Sequence, residues 1–146
     1  MRVVVELAGI RRRLACMVYE SMLLLGVLAL TFMVPYLILG IGFDWIPPGG
    51  VLWLHIFLVL GGYFVWYWRR SGQTLAMQTW RLKLVCADNG CRPGIARCWL
   101  RYTLAWPSLW CAGLGVVWAL LDPERQFLHD RLTGCCIVLL PESSKK

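Results

Sequence analysis

Apolar residues run from Leu14 to Phe43 with Glu20 as the only charge among them, and resume from Val51 to Trp68 without any. Neither run shows the alternation of a half-buried strand or a one-sided helical stripe. Both are continuous enough to read as helices solvated by lipid, since a bilayer core takes about 20 apolar residues per helical span. The pattern predicts a first span over about 14–39, with Pro35, Gly40 and Gly42 as local breaks, and a second over about 51–68. Between them Asp44, Trp45, Ile46, Pro47, Pro48, Gly49 and Gly50 form a turn by composition, because Pro fixes φ and Gly permits positive φ. A third uncharged run, 102–121, holds Pro107, Gly113 and Gly115 and either spans or re-enters.

Shorter patterns lie between and after these runs. Trp80, Leu82 and Leu84 alternate with Arg81, Lys83 and Val85, as in a half-exposed strand, and Asp88, Asn89 and Gly90 supply a turn. A strand-turn segment on the cytoplasmic face is the expectation. The run Cys135 to Leu140 is six residues and cannot span. The fold class is therefore an all-α membrane protein with about three transmembrane helices and one short strand-turn segment, in a single domain over 1–146.

Composition strengthens the lipid reading. The chain is 59% hydrophobic and 16% charged, with 9 Trp and a mean hydropathy of +0.61. An average soluble domain carries about 25% charged residues, so a soluble monomer is excluded. Charge placement then orients the spans. No Lys or Arg falls between Leu14 and Trp68, whereas Arg2, Arg11, Arg12 and Arg13 precede that window and seven basic residues lie from Arg69 to Arg101. The positive-inside bias puts both basic segments in the cytoplasm and the Asp44 loop outside. Trp66, Tyr67 and Trp68 read as an aromatic belt at one interface, Trp45 and Trp53 at the other, with Trp99, Tyr102 and Trp118 anchoring the third run. No small-residue cleavage site follows a short apolar core, so the first span is expected to be retained. The net charge of +7 implies contact with anionic lipids at the cytoplasmic face and no nucleic acid.

Candidate chemistry is sparse. Glu20 lies inside an apolar helix, where an isolated carboxylate costs about 2.5 kcal/mol or more at the bilayer centre. Arg13, seven positions earlier, returns to the same helix face about 10 Å away. The pair either snorkels to the interface, with Arg12 and Arg13 as local charge balance, or faces a shared polar groove. His129 and Asp130 are adjacent in sequence, and neighbours on a helix do not face each other, so no catalytic dyad is expected from them. His55 in the second span reads as a helix-packing hydrogen bonder. The seven cysteines contain no CxxC pair, and their odd number argues against a disulfide framework. No metal, no cofactor and no enzymatic activity are expected.

Three signatures in order resemble the RDD family of small bacterial membrane proteins, named for one arginine and two aspartates. Arg12, Arg13, Leu14 through Glu20 are similar to its Arg-rich opening with an acid seven residues on. Gly72, Gln73, Thr74, Leu75, Ala76 and Met77 through Leu82, Lys83, Leu84 and Val85 resemble its GQTxG segment. Asp122, Pro123, then Arg125, Gln126, Phe127, Leu128, His129, Asp130, Arg131, Leu132, Thr133 and Gly134 resemble its HDRLAG close. The resemblance places the family's arginine on Arg13, its first aspartate on Glu20 and its second on Asp130, with Arg12, Gly72, Gln73, Thr74, Arg125 and His129 in support. Three departures stand out: Glu for Asp at 20, Ala76 where a second Gly is usual, and Arg81 where another Gly is common. The resemblance implies a multi-pass protein of the bacterial inner (plasma) membrane. It implies a small cation/proton transport element, as proposed for some members, whereas the physical features alone, three spans and one buried acid, favour a non-catalytic scaffold. In both cases a homo-oligomer or a membrane partner protein is the expected assembly.

Overall fold

The computed structural model describes residues 7–110, 114–123 and 126–141. It is mostly helical: α1 (Ile10–Leu28), a π-helical turn (Ala29–Met33), α2 (Val34–Phe43), α3 (Gly49–Arg70), α4 (Leu75–Thr79), α5 (Ile95–Trp110), α6 (Leu114–Leu121) and α7 (Leu128–Leu132). Two strands, β1 (Leu82–Cys86) and β2 (Cys135–Leu139), complete it.

The chain from Ile10 to Phe43 is one apolar helical unit of 34 residues, and α3 has 22; both are long and apolar enough to cross a membrane. The first starts earlier than the expected Leu14, because Arg11, Arg12 and Arg13 occupy its opening turn with Gly9 as N-cap. It also runs past Pro35 without ending. Proline cannot donate to the carbonyl four residues back, and its ring crowds that turn. The π-helical turn immediately before α2 widens the backbone there, which is how such helices absorb a misfit. At Asp44 the chain turns left-handed, with φ 48°, and Pro48 caps α3. Tyr36 and His55 meet across the hairpin at 2.7 Å between Oη and Nδ1, the packing role expected of His55.

The most apolar stretch of α1–α2 buries none of its residues and that of α3 only 11%, so both present apolar side chains outward along their length. Among the described residues these two helices alone meet the length and hydropathy for crossing; a third span is not established. The run expected as the third is divided between α5, which begins seven residues earlier at Ile95, and α6; residues 111–113 lie outside the described set. Two of the anticipated interfacial aromatics turn inward. Tyr102 is 3% exposed and donates its hydroxyl to Phe57 O at 2.8 Å, and Trp68 is 4% exposed. Trp66 faces outward, 60% exposed, with Arg70 over its ring.

The expected short strand forms, within a mostly helical chain, as half of a two-stranded sheet. β1 pairs antiparallel with β2, Leu82 opposite Leu139 and Cys86 opposite Cys135, not with the residues after the Asp88 turn. The run too short to span is thus a strand, and its β-branched Ile137 and Val138 suit it. Leu7 bridges to Val138, so three distant parts of the chain share one small sheet. Leu82 and Leu84 are fully buried beneath it, each stabilising the cap by about 1.5–3 kcal/mol.

Two glycines permit this packing. At Gly61 a Cβ would stand 2.7 Å from the Trp99 ring and 2.9 Å from Tyr102, so α3 and α5 approach as closely as they do because no side chain intervenes. Gly72 has φ +74°, and a Cβ there would meet Leu84 O at 3.0 Å. Its carbonyl accepts from Leu84 N at 2.7 Å, tying the turn to β1. Gly72→Ala is expected to destabilise by about 1–2 kcal/mol, the cost of a left-handed non-glycine residue. Gly62→Ala, whose Cβ meets nothing within 4 Å, is the matched control. Thermal unfolding of the two variants in detergent should show a lowered midpoint for the first only.

Candidate functional site

The buried side of α1 is a stripe of three residues, Arg13, Cys16 and Glu20, at the i, i+3, i+7 spacing of one helical face. The expected shared face of Arg13 and Glu20 is therefore present, and the two acids lie in different surroundings.

Glu20 is 7% exposed and is held by two hydroxyls. Tyr63 of α3 donates to Oε1 at 2.6 Å, and Thr74 donates to Oε2 in a short hydrogen bond. Thr74 is placed by its second duty, as N-cap of α4, where its Oγ1 accepts from Met77 N at 3.3 Å. Gln73 fixes the same turn from the other side, its Nε2 donating to Leu82 O at 2.7 Å. The Gly72, Gln73, Thr74 signature is thus one device: a left-handed turn, a strap to β1 and a hydroxyl aimed at Glu20. Among the described residues no ion pair includes Glu20.

Asp130 is fully buried and ion-paired: Arg101 Nε donates to Oδ1 at 2.6 Å. The Arg101 guanidinium lies over the Trp68 ring, 4.2 Å from its centroid, which explains the inward turn of that tryptophan. Arg13 is 1% exposed, donates to Ile137 O at 3.4 Å and lies 6.0 Å from the Phe127 ring centroid. Asp130 and Arg101 both act on it electrostatically. Arg13, Arg101 and Asp130, drawn from α1, α5 and α7, therefore make a buried polar layer beside the sheet, with Glu20 held apart by its two hydroxyl partners.

His129 stacks on Phe127, with ring centroids 5.6 Å apart and planes at 14°. Contrary to the expectation for helix neighbours, its Nε2 comes within 3.6 Å of Asp130 Oδ1, because both sit in the single five-residue turn of α7. Burial nevertheless pushes the imidazole down to about 4, outweighing the attraction of Asp130, so the ring is neutral at physiological pH. The turn is anchored by Arg131 ion-paired to Asp122, and by Thr133 Oγ1 donating to His129 O at 2.8 Å. Arg12 is half-buried and stands outside the layer, and Arg125 lies outside the described residues.

A cavity of about 320 Å³ lies between α1, α3 and α5, with Glu20, Thr74, Arg101 and His129 in its mostly apolar wall. Sequence reasoning missed Tyr63 and Arg101. The only signals were a hydroxyl inside an apolar span and a lone arginine at the head of the third run.

The RDD family model matches residues 7–134, a stretch that runs from the strand bridge at Leu7 to the turn before β2 and contains the whole polar layer. The chain belongs to the RDD family. The match and the two apolar helices make it a membrane protein in kind. A curated relative, "Uncharacterized protein RP437" of Rickettsia prowazekii (strain Madrid E), is 31% identical over 81 residues, covering 56% of this chain and 44% of the relative. This RDD chain thus matches less than half of that protein's length. No solved structure matches it. Arg81 takes a left-handed φ of 55°, a conformation that glycine adopts without steric cost.

Proposed function

We propose that this RDD protein is a multi-pass protein of the bacterial inner membrane that exchanges a cation for a proton at Glu20, as a small transport element working with a second copy or a membrane partner protein. The observation that carries the reading is a buried carboxylate in a cavity wall, held by Tyr63 and Thr74 hydroxyls and by no ion pair among the described residues. Such a group gains a proton without stranding a buried positive charge. A hydroxyl both donates and accepts, so the same oxygens can turn toward a proton or a cation. Asp130 differs, because protonating it would leave Arg101 uncompensated.

The positive-inside bias supports a cytoplasmic N-terminus and Arg69–Arg101 segment, with the Asp44–Pro48 turn outside. Counting about 20 residues back from Phe43 sets the hydrocarbon boundary near Leu24. Glu20 is then one turn beyond it, at the cytoplasmic mouth. A scaffold is the second reading, favoured by the way Glu20 joins α1 to α3 and α4 through its two hydroxyl partners.

Proteoliposomes distinguish the two. Vesicles carrying the wild-type protein are expected to collapse an imposed pH gradient when a cation is added. Glu20→Gln should abolish this with insertion unchanged, and Glu20→Asp should retain it. Wild-type vesicles indistinguishable from empty ones across cations and pH would leave the scaffold.

A further inference from the structure

The wall of the cavity bears on what enters it. The cavity that Glu20 lines is also lined by Phe64, Trp68, Tyr102, Trp106 and Phe127. An alkali cation exchanges its water for several oxygen ligands, and this wall offers few: the Glu20 carboxylate with the Tyr63 and Thr74 hydroxyls beside it. Ser21, also in the wall, gives its proton to Met17 O at 2.8 Å and adds one more hydroxyl oxygen to that small set. Aromatic faces attract cations electrostatically and solvate apolar substituents, which is how quaternary ammonium groups are recognised. The volume, about 320 Å³, lies at the lower end for small-molecule sites.

Charge selects among apolar ligands. Arg101 reaches the same wall, but its charge is held by Asp130 at 2.6 Å and by the Trp68 face. His129 is uncharged near neutral pH through burial. Glu20 is left as the wall's one charge without an ion pair among the described residues, and it is negative.

We propose that the cavity between α1, α3 and α5 binds a monovalent organic cation with apolar or aromatic substituents, seated on the aromatic rings with its charge toward Glu20. This rests on the exchange reading above and names its substrate class. Where Glu20 is ionised the cation pairs with the carboxylate directly; where it is protonated, one proton leaves the carboxyl for each cation bound.

The probe is benzyltrimethylammonium, added to the purified full-length protein in detergent. Binding is read from tryptophan fluorescence and calorimetry, and proton release from the dependence of the heat on buffer ionisation. Saturable binding is expected; at pH values low enough to protonate Glu20 it weakens up to tenfold per unit fall and releases up to one proton per cation. Glu20→Gln should weaken binding at least tenfold and abolish the proton release. Trp106→Ala should weaken binding several-fold while keeping the release, and millimolar NaCl or KCl should not compete. Binding that persists in Glu20→Gln would overturn the proposal, as would wild-type binding that is flat in pH, a reading that stands even if the Gln variant does not fold. No probe binding, together with Na⁺- or K⁺-driven proton flux in vesicles, would sink the organic cation and leave exchange at Glu20 intact. Proton-linked binding without flux of any cation would do the reverse.

Discussion

Asp130→Ala is expected to lower the unfolding free energy by about 3–5 kcal/mol, the cost of stranding one member of a buried ion pair. Arg101 would keep its charge in a site where its side chain is 8% exposed, with Trp68 over one face and the Asp130 carboxylate gone. The same loss is expected for Arg101→Ala, which leaves a fully buried carboxylate. Removing both charges together is the decisive measurement. Arg101→Met with Asp130→Ala should recover most of the stability, because a buried pair replaced by apolar groups is close to neutral. Urea or thermal titrations in detergent would show it. Additive losses in the double variant would mean that the two side chains do not act as a pair.

Acid should weaken the fold through His129. Its folded value, about 4, lies below the ordinary 6.5 because burial penalises the imidazolium. The unfolded chain therefore binds the proton more readily between those two values. The stabilisation is fully present above pH 6.5 and lost as the pH falls toward 4, by about 3 kcal/mol in total. Melting midpoints measured from pH 7 to pH 4 should fall, and His129→Gln should flatten that part of the profile. A profile of unchanged slope in the variant would assign the acid sensitivity elsewhere.

Much of this arrangement follows from local pattern. Seven positions return a helix to the same face, so Arg13 and Glu20 were placeable together, and continuous apolar runs without Lys or Arg define the two long helices. Their ends were harder to read. Arginines in an opening turn look like the edge of a span, and Pro35 looks like a break until a π-helical turn absorbs it. Pairings across long stretches of sequence left no local trace. Asp130 finds Arg101 across 29 positions, and Glu20 finds Tyr63 across 43. Nothing in the periodicity of either partner marks the other. The six-residue run near the end was too short for a membrane helix, and its role appears only when β1 supplies the missing ladder.

The small sheet also has a temporal consequence. Ribosomes add about 5–20 residues per second, so β2 emerges several seconds after the hairpin of α1–α2 and α3 is complete. During that interval Arg13 cannot make its hydrogen bond to Ile137 O, 124 positions ahead, and Asp130 has not yet reached Arg101. Until the last strand docks, the charged end of the newborn hairpin is therefore unroofed. Quality control that senses exposed charge would find this chain vulnerable in that window and sealed afterwards.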